Sequence, residues 1–288
     1  MRQALVFGGS GQIGEPLIER LRAGGWQVVA LSRQPRPDVD GLHWLQGGFD
    51  RVPTLPSRVE AIISCGPLDR FAAWYAQAMV EAPRVVAFGS TSIETKQVSP
   101  DPAERDLVAR LQQGERTVFD TAASRGASAT LLRPTLVYGR GRDASLSRIA
   151  ALGRRLGRFP LPRGADGLRQ PVHVDDLADA AIACLDRRGV GAMAYALPGG
   201  ETLAYREMVE RVLGALQPPV RVRELPPWLF NGVLRLAQSG GYAKGLGGAA
   251  VARMREDLVF DATPARADLG YAPRLFRPTA AMFEPPAA

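Results

Sequence analysis

Residues 4–14 read Ala-Leu-Val-Phe-Gly-Gly-Ser-Gly-Gln-Ile-Gly. An apolar run ends in glycines at 8, 11 and 14 and passes into a helix-like stretch. No other feature narrows the fold as far. When a strand feeds a tight turn and the turn opens a helix, unpaired backbone N–H groups and the positive end of the helix dipole face an anion. Gly8 permits the turn, Gly11 lets the backbone approach a pyrophosphate, and Gly14 lets the helix pack on the strand. Ser10, Gln12 and Ile13 fill the rest of the turn, so the expected dinucleotide cradle comprises all six residues. A glycine triplet alone says little; its place directly after a strand gives it meaning.

The next strand bears on which dinucleotide is bound. Trp26–Leu31 is a buried-strand pattern that ends in Ser32-Arg33, with Arg36 three residues on. An acid near this point would hold an unphosphorylated ribose 2′-hydroxyl, whereas an arginine pairs with a 2′-phosphate and stacks on adenine. Ser32 and Arg33 therefore predict NADP(H) rather than NAD.

Strands and helices alternate thereafter, which signals a parallel sheet. Strands are expected at 42–46, 59–64, 84–88 and 129–133, and helices at about 12–24, 69–81, 103–125, 175–186 and 204–216. The fold class is α/β: a Rossmann-type doubly wound parallel sheet with a small C-terminal substrate lobe. The expected division is an NADP-binding core over 1–140 and a lobe over 141–288, interleaved with the last core elements at about 168–200.

The rest of the sequence mainly excludes. No apolar run reaches the ~20 residues of a membrane span, and no basic-then-apolar leader precedes Ala4. Cys65 and Cys184 are the only cysteines, without metal-ligand spacing to His43 or His173, so no metal is expected and a reducing cytoplasm fits. Net charge is +7, and all but Lys96 and Lys244 of the 36 basic residues are arginine. Arg140, Arg142, Arg148, Arg154, Arg155, Arg158, Arg163 and Arg169 crowd one segment. Without aromatic interleaving they predict a solvated basic face or a small anionic substrate, not nucleic acid.

Four further motifs extend the pattern. Phe88-Gly89-Ser90-Thr91-Ser92-Ile93, Leu132-Arg133-Pro134-Thr135-Leu136-Val137-Tyr138-Gly139, Arg169–Ala178 and Asp268-Leu269-Gly270-Tyr271-Ala272-Pro273 follow in order. Together they resemble the extended short-chain dehydrogenase/reductase family of nucleotide-sugar epimerases, dehydratases and related reductases. The resemblance implies a nicotinamide near Gly66, Ser90 and the Pro134–Thr135 turn. It also makes Ser90, where the family's Ser or Thr bonds a substrate oxygen, the candidate catalytic residue.

The resemblance breaks at the family's Tyr and Lys, four residues apart on the helix after the serine strand. Registered on Glu115, those positions hold Leu107 and Leu111, on one apolar helical face with Val118 and Ala122. Asp106 and Arg110 keep the spacing one position away but read first as a surface ion pair. His173 between two valines reads as a packed residue. Asp175 and Asp176 read as helix-start acids.

The expected function is an atypical NADP(H)-dependent oxidoreductase or epimerase-like enzyme acting on a small, anionic or lipophilic carbonyl substrate. The alternative is a non-catalytic NADPH-binding regulatory or accessory protein, similar to the dyad-less subunit of respiratory complex I. Residues 226–237, apolar with Trp228 near the start, read first as a lid or core helix of the lobe and second as a contact for a membrane or lipophilic substrate. The Leu107–Leu111 face could serve a homodimer.

Overall fold

A computed structural model of the chain describes residues 2–186, 191–239 and 247–284. The chain opens with β1 (Gln3–Phe7), α1 (Gly14–Ala23), β2 (Gln27–Ser32), β3 (Leu42–Gln46), β4 (Ala61–Ser64), α2 (Leu68–Gln77) and β5 (Arg84–Phe88). There follow α3 (Ser92–Thr95), α4 (Pro102–Ser124), β6 (Ser128–Pro134), β7 (Val137–Tyr138), α5 (Leu146–Leu156), β8 (Arg158–Pro162), β9 (Leu168–Arg169) and β10 (Val172–His173). The last part holds α6 (Val174–Asp186), β11 (Ala192–Leu197), β12 (Leu203–Ala204), α7 (Tyr205–Gly214), β13 (Arg221–Leu225), α8 (Pro227–Ser239), α9 (Gly248–Arg253) and α10 (Thr263–Leu269).

Seven strands form one sheet in the order β11-β6-β5-β4-β1-β2-β3. Every pairing within it is parallel. Parallel strands are covered on both faces, so they read as unbroken apolar runs. Adjacent residues of β1 show why: Val6 packs in a cluster with Leu17 and Leu21 of α1 and Leu177 and Ala181 of α6. Leu5 packs on the opposite face with Phe71 of α2 and Leu111 and Val118 of α4. The strand order reverses between β1 and β4, and ligands of such sheets lie outside the strand C-termini at that point. Gly8, Gly66, Ser90 and Thr135 all follow strands at this edge.

A third core lies apart from the sheet. Leu146 and Ala150 of α5, Phe159 and Leu161 of β8, and Met208 and Val212 of α7 pack with Tyr138 and Phe276. This is the small C-terminal lobe, and β8 pairs with β13 in parallel there. Its helix α5 lies between the helices expected at about 103–125 and 175–186. The Asp268–Pro273 motif clamps the chain end to the sheet: Tyr195 bonds Asp268 Oδ2 at 2.5 Å and Tyr271 donates to the Pro198 carbonyl at 2.8 Å. Among the described residues no helix is long and apolar enough to cross a membrane.

Candidate functional site

The glycine turn is built as its sequence requires. Gly8 has φ +69°, and a Cβ there would stand 2.9 Å from the Cys65 carbonyl carbon and the Gly66 nitrogen. The Gly11 N–H donates to the Gly8 carbonyl at 2.9 Å. A Cβ on Gly14 would meet that same oxygen at 2.2 Å. Ile13 caps α1 without a side-chain bond; the Glu15 N–H already donates to the Gly11 carbonyl at 3.1 Å and Pro16 has none, so the Gly14 N–H is the first-turn group left for a ligand among the described residues. Gln12 Oε1 is buried without a hydrogen-bond partner among the described residues. Buried polar atoms are seldom left so, which suits an incoming polar group.

The charge around the turn also favours an anion. Glu15, in the first turn of α1, would oppose a phosphate, but Arg142, Arg36 and Arg140 surround it at 3.0, 3.6 and 3.7 Å. Arg142 also donates to the Ser10 carbonyl at 2.6 Å, tying the turn to the segment after β7. The donors, the close-approach glycines and the neutralised acid together fit a dinucleotide pyrophosphate.

At the end of β2, Ser32 is buried and its Oγ accepts the Gln34 N–H at 3.3 Å. Arg33 is exposed. Arg36 lies over the Trp44 ring at 5.1 Å as well as beside Glu15. Gly66 lies so close to Phe49 that a Cβ would stand 2.8 Å from its ring. Burial pushes the Cys65 thiol up to about 12, which leaves it unreactive as a nucleophile.

Ser90 follows β5, and its Oγ accepts the Ser92 N–H at 3.1 Å. The Thr91 hydroxyl donates to the Pro134 carbonyl at 3.1 Å, holding the ends of β5 and β6 together. The Thr135 hydroxyl donates to the Gln170 carbonyl. Behind this edge Arg133 grips Glu115 with two bonds, of 2.8 and 2.5 Å. Pairing with Glu115 raises the Arg133 guanidinium further, against the effect of burial.

Leu107 and Leu111 pack into the apolar layer between α4 and the sheet. Arg110 bonds Asp106 at 3.0 Å and Asp69 of α2 at 3.1 Å, a bridge between exposed helix surfaces. His173 is buried, and its Nδ1 accepts the Asp175 N–H at 3.2 Å. Its ring packs edge-on against Tyr138 at 5.0 Å. Burial holds its pKa below the usual range despite Asp175, so it is a packed neutral residue. Asp175 and Asp176 lie in the first turn of α6, and Asp176 takes the Arg274 N–H and Nε at 3.1 and 2.8 Å.

A cavity of about 990 Å³ runs from Ser90 and Thr135 into the small lobe, as far as Phe159, Phe230 and Met254. Phe230 lies on α8, so residues 226–237 include a wall of this cavity. Five cations line it: Lys96, Arg148, Arg155, Arg169 and Arg253. Lys96 and Arg253 share the carboxylate of Glu104, at 3.3 and 2.6 Å, and Ser99 donates to it at 2.6 Å. Arg169 is 5% exposed. It donates to the carbonyls of Leu168, Glu256 and Arg253 and lies 5.3 Å over the Tyr205 ring. Glu104, Tyr205 and Arg253 carry no motif that would have singled them out in the sequence. Among the described residues no cluster of His, Cys, Asp and Glu could hold a metal.

The family model for the NAD dependent epimerase/dehydratase family matches residues 81–195. An uncharacterized protein of Sinorhizobium fredii is 26% identical over 302 residues, spanning 95% of this chain and 75% of that one. MoeE5, solved with UDP-glucuronic acid and NAD, superposes with a TM-score of 0.69 at 21% identity over 97% of both chains. The UDP-glucuronic acid 4-epimerase of Bacillus cereus, solved with NAD, gives 0.71 at 11% identity over 98% of this chain and 94% of that one. These likenesses correct the cofactor expected from Ser32 and Arg33. The matching family is NAD dependent and both solved structures hold NAD, not NADP. The correction removes both functional readings that rested on NADP(H), the NADP-dependent oxidoreductase and the NADPH-binding accessory protein. Its physical reason lies at the end of β2: Arg36 is engaged by Glu15 and Trp44, Ser32 by Gln34, and Arg33 is exposed to solvent.

Proposed function

We propose that this chain, which has the fold of the NAD-dependent epimerase/dehydratase family, is an NAD-dependent enzyme acting on a nucleotide-sugar-like substrate, a sugar borne on a diphosphate. The observation that carries the proposal is the shared edge of the sheet. The glycine turn and the large cationic cavity both open at the C-terminal ends of the strands, with Ser90 and Thr135 on the cavity wall. The diphosphate-sugar class is supported by the solved relatives, whose structures hold UDP-glucuronic acid or UDP-glucose beside NAD.

In this reading the turn residues Gly8, Ser10, Gly11, Gln12, Ile13 and Gly14 hold the pyrophosphate. Ser32 and Arg33 border the adenosine end, while Gly66, Ser90, Pro134 and Thr135 border the nicotinamide. When bound, the nicotinamide supplies reversible hydride acceptance. Ser90 orients the substrate: because its Oγ accepts the Ser92 N–H, its own proton is free to donate to a substrate oxygen. A serine hydroxyl is too weak an acid to do more alone. The proton itself therefore exchanges with water or with a group of the substrate. Lys96, Arg169 and Arg253 offer positive charge to the diphosphate.

Titration with NAD, followed by turnover of glycosyl diphosphates in its presence, tests the proposal. NAD binding with transient NADH absorbance is expected. Ser90→Ala should lower turnover by about a hundredfold without changing NAD affinity. Absence of NAD binding, or full turnover by Ser90→Ala, would overturn it.

A further inference from the structure

Helix α8 turns an apolar face to water. Trp228 is 74% exposed, Leu229 38% and Leu236 75%. Single exposed apolar side chains are ordinary, but these share one surface. Leu229 and Leu236 are seven positions apart, two turns of helix, and so lie on one stripe; Trp228 begins the stripe beside it. The other side of the helix carries Phe230, which is buried, and Leu234, both in the cavity wall. A helix apolar on both sides buries one against its own protein and offers the other to a second surface.

The charge beside that face is nearly all of one sign. Arg235 lies seven positions after Trp228, on the same stripe, and is exposed. Helix α8 packs against β8, whose Arg158 stands opposite Arg221 of β13 in the strand register. Both are exposed, as is Arg223, which shares a strand face with Arg221. Like charges set opposite each other across a strand pair repel, so an anion brought against them is favoured. Glu224 is the one acid in α5, β8, β13, α8 and α9, and Arg206 lies 3.5 Å from it. The 13 residues of α8 are too few to cross a bilayer. An apolar stripe with a tryptophan, flanked by arginine, instead suits a helix lying in the plane of an anionic membrane surface. An acidic protein would meet the arginines alone, whereas a bilayer also takes the indole at the level of its headgroups.

We infer that α8 and the arginines beside it dock this protein on an anionic bilayer, with Trp228, Leu229 and Leu236 entering the headgroup layer. The inference adds a partner to the function proposed above and does not depend on it.

The test is co-sedimentation of the full chain with vesicles, one set of phosphatidylcholine alone and one of phosphatidylcholine and phosphatidylglycerol in equal parts. At low salt the mixed vesicles should bind the protein at least about tenfold more tightly than the neutral ones, and about 0.5 M salt should remove most of that preference. Trp228→Ser with Leu229→Ser changes two exposed positions outside the cavity wall. It should weaken binding to the mixed vesicles by more than about tenfold and leave the thermal melt unchanged. Arg158→Glu with Arg221→Glu should abolish the preference for the anionic vesicles. Failure to bind the mixed vesicles would overturn the inference, as would binding that either double variant retains in full. Light scattering without lipid tests the other occupant: a dimer that the Trp228/Leu229 variant loses would show that a second copy covers this face, and would overturn the inference too.

Discussion

A side-chain carbon on Gly14 would stand 2.2 Å from the carbonyl oxygen of Gly8. That oxygen belongs to backbone with little room to shift, since the space beside Gly8 is filled by the Cys65–Gly66 backbone. Gly14→Ala should therefore push α1 away from β1 and open the turn. NAD affinity is expected to fall by more than about tenfold, with a lower Tm. Calorimetric titration and a thermal melt check both; an unchanged affinity would remove the turn from the cofactor site.

Arg142 neutralises Glu15 and holds the Ser10 carbonyl. Arg142→Ala leaves the first-turn carboxylate less well compensated beside the pyrophosphate position. NAD affinity should fall about fivefold at low salt and less at high salt, where the repulsion is screened. A second substitution, Glu15→Gln, should restore most of it. Lack of rescue would mean that the Ser10 contact matters more than the charge.

Glu104 sets a pH dependence. Burial alone would raise its carboxyl, but Ser99, Arg253 and Lys96 outweigh burial and hold it at about 2, below the ordinary 4.5. A depressed folded-state pKa contributes stability above the unfolded value and loses it as pH falls. The contribution should be intact at pH 6 and disappear between about 4.5 and about 2. Glu104→Gln should lower Tm by about 3–6 °C near neutrality and flatten the acid limb of the stability curve. Urea midpoints from pH 6 to pH 3 would show whether it does.

Restoring the missing lysine should not restore its chemistry. Leu111 is 9% exposed and packs with Phe71 and Val118 beneath the sheet. Leu111→Lys buries an ammonium in that layer, at a cost of about 2–4 kcal/mol. Chemical denaturation should register the loss, with no gain in turnover even alongside Leu107→Tyr. A gain would show that the α4 face reaches the reacting atoms.

The sequence revealed most where structure is set by near neighbours. Gly8, Gly11 and Gly14 act through local backbone, and the apolar runs at Leu5 and Ile62 report burial on both faces, so the turn and the parallel sheet could be read directly. The exchange of the dyad for Leu107 and Leu111 was visible because helical spacing fixes one face. The cofactor reading rested on Ser32 and Arg33 at the end of β2, a local pattern that the match to an NAD-dependent family and the NAD-bound structural likenesses overturn. Part of the cavity's charge is brought together by long-range packing. Lys96, Glu104 and Arg253 meet only through the packing of the lobe onto the core, and no local pattern marks them. Helix α5, between Gly141 and Gly157, lies outside the helices expected from the sequence pattern, in a stretch cut by glycine.

Glu104 lies on a helix of the core and Arg253 near the end of the lobe, 149 positions later. A contact across so long a span can form only after the intervening chain has been brought together, and the loop entropy is spent before the ion pair returns anything. The sheet can assemble from neighbouring βα units well before this. The cavity walls should thus be the last part of the molecule to order on refolding and the first to exchange amide hydrogens under mild denaturant. A chain shortened before α9 should keep its sheet and lose its cavity.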